Sequence, residues 1–386
     1  MINERVLTAF ISFFFFIVIV TDFCFKYSRI YLDETIKFLP ITKSVIAILF
    51  LSALWFIKLI KKKDIYVVIL ITVPTIIHLF LSNPTETRSH IDLIAKYVFG
   101  IIIMLFFLRM HKKLSKKILA NTIVCFSIIN LVCIVLGCLF DIYIFKTYAA
   151  ERFGFNGIFK STSVASYFYM FTLTYACLKS QKNFFDYSWI IVLLVSSILV
   201  GSKSLFAFLF LMSFMTLIKY LSKRQTVFSE KLFYMISSIL GLILAFLLLN
   251  LYFFLNPTFN QILTQQGFFT AFFSFRDIIV INVFNAINEG YYLSDFLFGG
   301  IFKLGTLTET ALLDLFLTFG LAGAFSYIYF IKYNLPKVYG PFTQFVLSFI
   351  VLIILLRGNF LYYPSVLFVS FFVVSLILKE NDIYNL

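Results

Sequence analysis

The chain has 386 residues, of which 61% are hydrophobic and only 13% charged. Soluble domains carry about a quarter of their residues as charges, so this composition excludes a soluble globular fold. The net charge of +14 fits the basic clusters that flank membrane spans better than a nucleic-acid surface.

A helix crosses the hydrocarbon core with about 20 apolar residues and satisfies its own backbone there. The apolar blocks show no alternation with a period of two, which argues against a membrane β-barrel. The predicted fold is therefore all-α and polytopic, a single integral membrane domain over 1–386 with about 12 transmembrane helices. In chain order the first six spans are predicted at Val6–Phe25, Ile41–Ile60, Ile65–Ser82, Leu93–Leu108, Ile118–Phe140 and Val164–Leu178. The rest are Ser188–Val200, Ser204–Leu221, Leu232–Leu255, Glu309–Ile331, Phe342–Leu356 and Leu361–Leu378. The first block is too long for a signal-peptide core and no small-residue cleavage site follows it, so it reads as an uncleaved span.

Basic clusters orient the spans. Lys58, Lys61, Lys62 and Lys63 follow the second, Arg109, Lys112, Lys113, Lys116 and Lys117 the fourth, and Lys219, Lys223, Arg224 and Lys231 flank the turn after the eighth. By the positive-inside rule these exits and both termini are cytoplasmic. Lys26, Arg29, Lys37 and Lys43 in the first external loop weaken the pattern without reversing it. The external face then carries Asn83–Asp92, a medium loop over 141–163 and a much longer loop over 256–308. Long ordered loops commonly carry function.

Ionisable groups inside spans are functional candidates, and Asp22, His78, Lys96 and Asp314 all fall toward the external ends. Reach to the interface explains Lys96 and Asp22 as well as a functional role does. Thr310, Asp314 and Thr318 recur every fourth residue and share a helix face, a polar stripe expected to line a cavity. The seventh and eighth spans meet at Gly201-Ser202-Lys203-Ser204. Either the flanking Phe184–Trp189 joins the short seventh span, or the turn dips below the surface and puts Lys203 in a polar cavity. In the long loop, Phe272–Glu289 reads as an amphipathic helix with Asp277, Asn282, Asn285, Asn288 and Glu289 on one side. Arg276 stands at its start. Arg152 and Lys160 sit in a glycine-rich stretch of the medium loop. Glycine admits close ligand approach and arginine grips phosphate oxygens bidentately. For each arginine the alternative is an ordinary loop or headgroup contact.

Walker A, GxGxxG, HExxH and GxSxG motifs are absent, which argues against an ATP-driven pump on this chain. Cys24, Cys125, Cys133, Cys138 and Cys177 form no CxxC pair, and His78, His90 and His111 are dispersed. No disulfide framework, metal site or cofactor is therefore expected.

Three stretches resemble bacterial O-antigen polymerases of the Wzy type, in the wider group that includes O-antigen ligases. Glu151-Arg152-Phe153-Gly154-Phe155-Asn156-Gly157 is similar to the family's Arg–aromatic–Gly–Phe loop, and Gly201-Ser202-Lys203-Ser204 to its Gly-Ser-basic-Ser turn. Phe275-Arg276-Asp277, Phe298-Gly299-Gly300 and Glu309 through Gly320 resemble its large external loop and the span that follows. The chain departs from the pattern of some members at the position where a glycine follows each arginine: it has Ser163 after Arg152 and Ile287 after Arg276.

The resemblance implies a glycosyltransferase that polymerises polyprenyl-diphosphate-linked oligosaccharide units at the periplasmic face of the bacterial inner membrane. Its implied partners are undecaprenyl-diphosphate-linked units, the growing glycan and the bilayer, with room for a chain-length regulator and none for nucleic acid. Under this expectation Arg152 and Arg276 hold diphosphate groups and Lys203 assists. Glu309 and Asp314 are candidate bases, and Lys160, Lys96 and His78 bind substrate. A ligase, a capsule polymerase and a lipid-linked oligosaccharide flippase are the alternatives. The absence of histidine from 256–308 favours polymerase over ligase, and the external concentration of polar groups argues against a flippase.

Overall fold

A computed structural model of the chain describes residues 3–32, 38–82, 87–148, 153–179, 183–222, 257–304, 307–336, 338, 340–358 and 360–383, with single positions between 239 and 250. Among these the chain is helical, with one isolated antiparallel bridge between Lys146 and Phe155. The helices are α1 (Glu4–Tyr31), α2 (Phe38–Phe56), α3 (Lys62–Ser82), α4 (Thr87–Met110), α5 (Lys116–Phe140), α6 (Thr162–Leu178), α7 (Phe184–Val200) and α8 (Lys203–Ser222). After these come α9 (Pro257–Gln266), α10 (Phe268–Phe273), α11 (Arg276–Gly290), α12 (Leu293–Phe298), α13 (Ala311–Asn334), α14 (Pro341–Arg357) and α15 (Pro364–Ile383).

Local chemistry sets these boundaries. The Asn3 side chain accepts from Arg5 N–H to open α1, and Ser161 caps α6. Asn183 and Asp186 form a reciprocal capping box at the start of α7. That helix has 17 residues, about 25 Å of rise, so Phe184–Trp189 does join the seventh span. Helix α1 runs on past the expected Phe25 to Tyr31. The ninth predicted span, Leu232–Leu255, lies almost entirely outside the described residues.

Among the described residues, five helices are long and apolar enough to cross a membrane, by length and composition, and four shorter apolar helices accompany them. The centre is α15, packed against α4 and α6. Its Val366, Leu367, Phe368, Phe372, Val373, Leu376 and Ile377 are fully buried, so the helix is enclosed on every side. Aromatic rings cement it: Phe15 lies 4.6 Å from Phe372 and Phe107 5.6 Å from Phe368. Outer helices turn apolar faces outward, with Val6, Phe10, Phe13 and Val20 of α1 and Tyr66, Ile69, Leu70 and Val73 of α3 exposed. A contiguous surface of this kind suits hydrocarbon and would aggregate in water.

Ionisable groups collect in two separate sets. In one, Arg109 of α4 donates to both carboxylate oxygens of the buried Asp64, at 2.6 and 2.8 Å, and to Asn334 Oδ1. Lys116 pairs there with the buried Glu380 at 2.5 Å, and Lys379 with Glu4 at 3.5 Å. The other set lies in and around the described parts of the segments 141–161 and 257–310, with most of the described candidate residues.

The loop over 257–304 is itself helical. The amphipathic helix expected over Phe272–Glu289 is instead broken. Helix α10 ends at Phe273, Ser274 and Phe275 are both left-handed, and α11 starts at Arg276. Helix α12 is clamped onto α13 at an internal break in α13. There Gly320 takes φ 63° and ψ −172°, a conformation essentially confined to glycine. Its missing side chain admits the Leu297 backbone, and Gly300 N–H donates to Leu317 O at 2.9 Å.

Candidate active site

The Gly-Ser-Lys-Ser stretch divides its work residue by residue. Gly201 ends α7 in a left-handed turn. Buried Ser202 bonds Ser166 Oγ at 2.8 Å and accepts from Leu205 N–H at 3.3 Å. Lys203 extends across to the next segment, donating to Ser274 Oγ at 2.9 Å and to the Ala271 and Phe272 carbonyls. A lysine on the last carbonyls of a short helix complements its dipole. Lys203 therefore holds the α10–α11 break that delivers Arg276.

Arg276 donates from Nε and Nη2 to Glu309 Oε2 at 3.3 and 3.1 Å. Three non-glycine residues around this pair, Ser274, Phe275 and Glu309, have positive φ. Backbone strain of this sort costs about 1–3 kcal/mol per residue and survives only where surrounding structure enforces it. Glu309 is pinned by two neighbours. Its carbonyl packs on Gly358, and the preceding Thr308 donates from N–H and Oγ1 to Asp314 at 2.7 and 2.8 Å.

Arg357 completes the set, and the sequence reading missed it. It ends α14, donates to Ser204 Oγ and lies 5.7 Å from the centroid of the buried Tyr167 ring. One signal was available: an arginine at the external end of a predicted span opposes the positive-inside trend.

Lys203, Arg276 and Arg357 line one cavity of about 440 Å³ with Ser202, Ser204 and Thr162. Its other wall is apolar, formed by Phe349, Leu352, Ile353 and Leu356 of α14 together with Phe272 and Phe273. A second cavity, about 710 Å³, is lined by Lys43, Lys96, Lys160, Asp92, Glu309, Tyr362 and Tyr363. Glu309 lines the second cavity and its ion-pair partner Arg276 the first, so this pair stands where the two meet. Lys43 pairs with Asp22 at 3.0 Å and Lys96 with Asp92 at 2.6 Å. Lys160 lies over the Phe25 ring at 3.9 Å. Burial pushes its ammonium down to about 8, helped by Lys43, Arg29 and Lys96 and opposed by Asp22.

The other candidates divide as follows. Arg152 lies outside the described residues. The chain that follows it packs on the Gly201 turn, where Phe155 N–H donates to Leu199 O at 2.8 Å. The Thr310–Asp314–Thr318 stripe, expected to line a cavity, lines neither of these two. Asp314 and Thr318 are buried, Thr318 Oγ1 donates to Asp314 O at 2.6 Å, and the visible work of Asp314 is to fix the segment that carries Glu309. His78 also lines neither cavity. Its Nε2 bonds Asp295 Oδ1 at 2.9 Å, while Lys303 bonds Asp295 Oδ2 at 2.6 Å and Tyr292 N–H donates to it at 2.7 Å. This group ties α12 to α3. Burial pushes the Asp295 carboxyl up, but hydrogen bonds from Lys303, Tyr292 N–H and His78 outweigh it and leave the carboxyl below its ordinary value.

Three cations and several hydroxyls at the head of a cavity with an apolar wall suit an amphiphile with a multiply charged anionic head. No family model, no curated protein and no solved structure matches the chain.

Proposed function

We propose that the chain is a membrane glycosyltransferase that takes glycan from a polyprenyl-diphosphate carrier, of the O-antigen polymerase kind, with the two cavities facing outward from the inner membrane. The observation that carries this reading is the convergence of Lys203, Arg276 and Arg357 on one cavity with an apolar wall. The resemblance of the Gly201–Ser204, Phe275–Asp277 and Glu309–Gly320 stretches to that family supports it.

The chemistry follows from the leaving group. A hydroxyl of the acceptor sugar forms a bond to the anomeric carbon of the donor. The bond from that carbon to the diphosphate oxygen breaks, and its electron pair leaves on the diphosphate. Fixed guanidinium and ammonium groups stabilise this growing charge where water is excluded. The hydroxyl proton passes to a base. Glu309 is the candidate for this role, a reading supported by its lining the neighbouring cavity while bonded to Arg276 of the first.

The test uses the purified full chain in phosphatidylcholine nanodiscs with geranyl diphosphate as probe, beside gel ladders of surface glycan from cells. Arg357→Ala weakens geranyl diphosphate about 10- to 100-fold, the worth of one charge-assisted contact, and shortens the ladder at equal protein level. Arg357→Lys recovers part of the binding, because a point charge replaces a bidentate fork. Unchanged binding and a full ladder in Arg357→Ala would overturn the assignment. Deletion of the gene leaves single-unit glycan for a polymerase and unattached lipid-linked polymer for a ligase.

A further inference from the structure

The second cavity holds a positive charge that the carboxylates in and beside it do not match. Of its lining carboxylates, Asp92 is taken by Lys96 at 2.6 Å and Glu309 by Arg276 at 3.1 Å, and the neighbouring Asp22 is taken by Lys43 at 3.0 Å. Lys160 forms no ion pair with a carboxylate among the described residues. Its contact is the Phe25 ring face at 3.9 Å, and burial draws its ammonium down to about 8. A half-buried cation whose neighbouring carboxylate, Asp22, is already bonded to Lys43 is costly to keep. It persists where a ligand supplies the anion.

The rest of the lining says what kind of ligand carries that anion. The first cavity has an apolar wall on one side, whereas this one sets charges of both signs, Ser44 and the Tyr362 and Tyr363 rings among apolar residues such as Phe25, Leu93, Phe99 and Leu307. Carboxylates accept from hydroxyls, ammonium groups donate to them, and tyrosines offer both a ring face and a hydroxyl. This is a lining for a polyhydroxylated molecule. The volume of about 710 Å³ lies within the range of sites that hold small organic ligands.

We propose that this cavity binds an acidic glycan, with a sugar carboxylate set against Lys160. On the proposed function, on which this step rests, the glycan is the acceptor, and its repeat unit contains a uronic acid or another carboxylate sugar.

The experiment uses the full chain in phosphatidylcholine nanodiscs. The probes are a trisaccharide ending in glucuronic acid and the same trisaccharide with its carboxyl reduced to the alcohol. At pH 7 the acidic form binds about tenfold tighter, as one charge-assisted hydrogen bond provides. Lys160→Gln removes the difference and Lys160→Arg restores it. The groups that face Lys160 are Asp22 and Arg29 of α1, Lys43 of α2 and Lys96 of α4. The unbound ammonium loses its proton as pH rises through about 8, and a bound carboxylate holds the proton on to higher pH. The preference is therefore full at pH 7 and declines above about 8 in the unaltered protein, which tests the idea even if Lys160→Gln does not fold. Equal binding of the two probes, or a preference that survives Lys160→Gln, overturns the proposal. So does loss of the preference when phosphatidylglycerol is added to the disc, which would make a lipid headgroup the natural anion. The geranyl diphosphate measurement on Arg357→Ala is independent of these probes. Failure there with success here refutes the glycosyltransferase and leaves the glycan site standing.

Discussion

Gly358 offers the sharpest test of how the site is held. It ends α14 at φ 66° and ψ −166°, a region essentially restricted to glycine. A Cβ at this position would overlap the carbonyl carbon and oxygen of Glu309 and crowd Thr310 N. Gly358→Ala therefore costs about 1–3 kcal/mol in backbone strain and about 1–3 kcal/mol in overpacking. Relief requires the Glu309 backbone to move by about an ångström, and a displacement of that size at a reacting group costs about 100-fold in rate. The same movement pulls Glu309 away from Arg276. The assays are thermal unfolding in nanodiscs and the glycan ladder at matched protein level. Gly290→Ala is the control, because a Cβ there meets nothing within 4 Å and its φ is not left-handed. That substitution is expected to be neutral or to stabilise by about 0.4–1 kcal/mol. If Gly358→Ala melts with the unaltered protein and polymerises normally, the contact between α14 and the Glu309 segment does not position the site.

Three further outcomes are expected. On the proposed function, Glu309→Gln lowers polymer formation about 100-fold or more, the range of a lost general base, and a normal ladder in this variant would remove Glu309 from the proposed chemistry. Arg109→Ala strands the buried Asp64 carboxylate and lowers stability by about 3–5 kcal/mol; an unshifted melting curve would contradict the network. Asp295→Asn loosens α12 from α3, read as faster amide exchange over 293–303. The pH dependence has the same origin. The Asp295 carboxyl is held below its ordinary 3.8, so its contribution is complete above that value and is lost as pH falls through the lower folded value. Exchange in this segment that stays slow well below that range would refute the clamp.

Much of the architecture is legible in the chain itself. Apolar block length gives the helices, because an unpaired backbone in hydrocarbon leaves no alternative. Eleven of the predicted apolar blocks coincide with helices, α1 to α8 and α13 to α15, apart from their ends; among the described residues five helices are long and apolar enough to cross a membrane. The Gly201–Ser204 turn is also readable, since glycine and serine have fixed uses at helix ends. The break at Ser274-Phe275 was not, because two non-glycine residues with positive φ leave no compositional trace. Asp314 and His78 looked alike in sequence, as polar groups within apolar blocks. One turned out to fix the Glu309 segment and the other to anchor a short helix, because only the packed neighbours Thr308 and Asp295 decide what a buried polar group satisfies.

The sequence by itself determined that the protein is a bundle of apolar helices with its ionisable groups held to the ends. That property depends on local composition and the cost of placing charge in hydrocarbon. Only the tertiary structure decided which of those groups meet. Lys203, Arg276 and Arg357 lie far apart along the chain and share one cavity, and Glu309 joins it to a second. Helix periodicity fixes which face a residue occupies, while packing between helices fixes what that face meets.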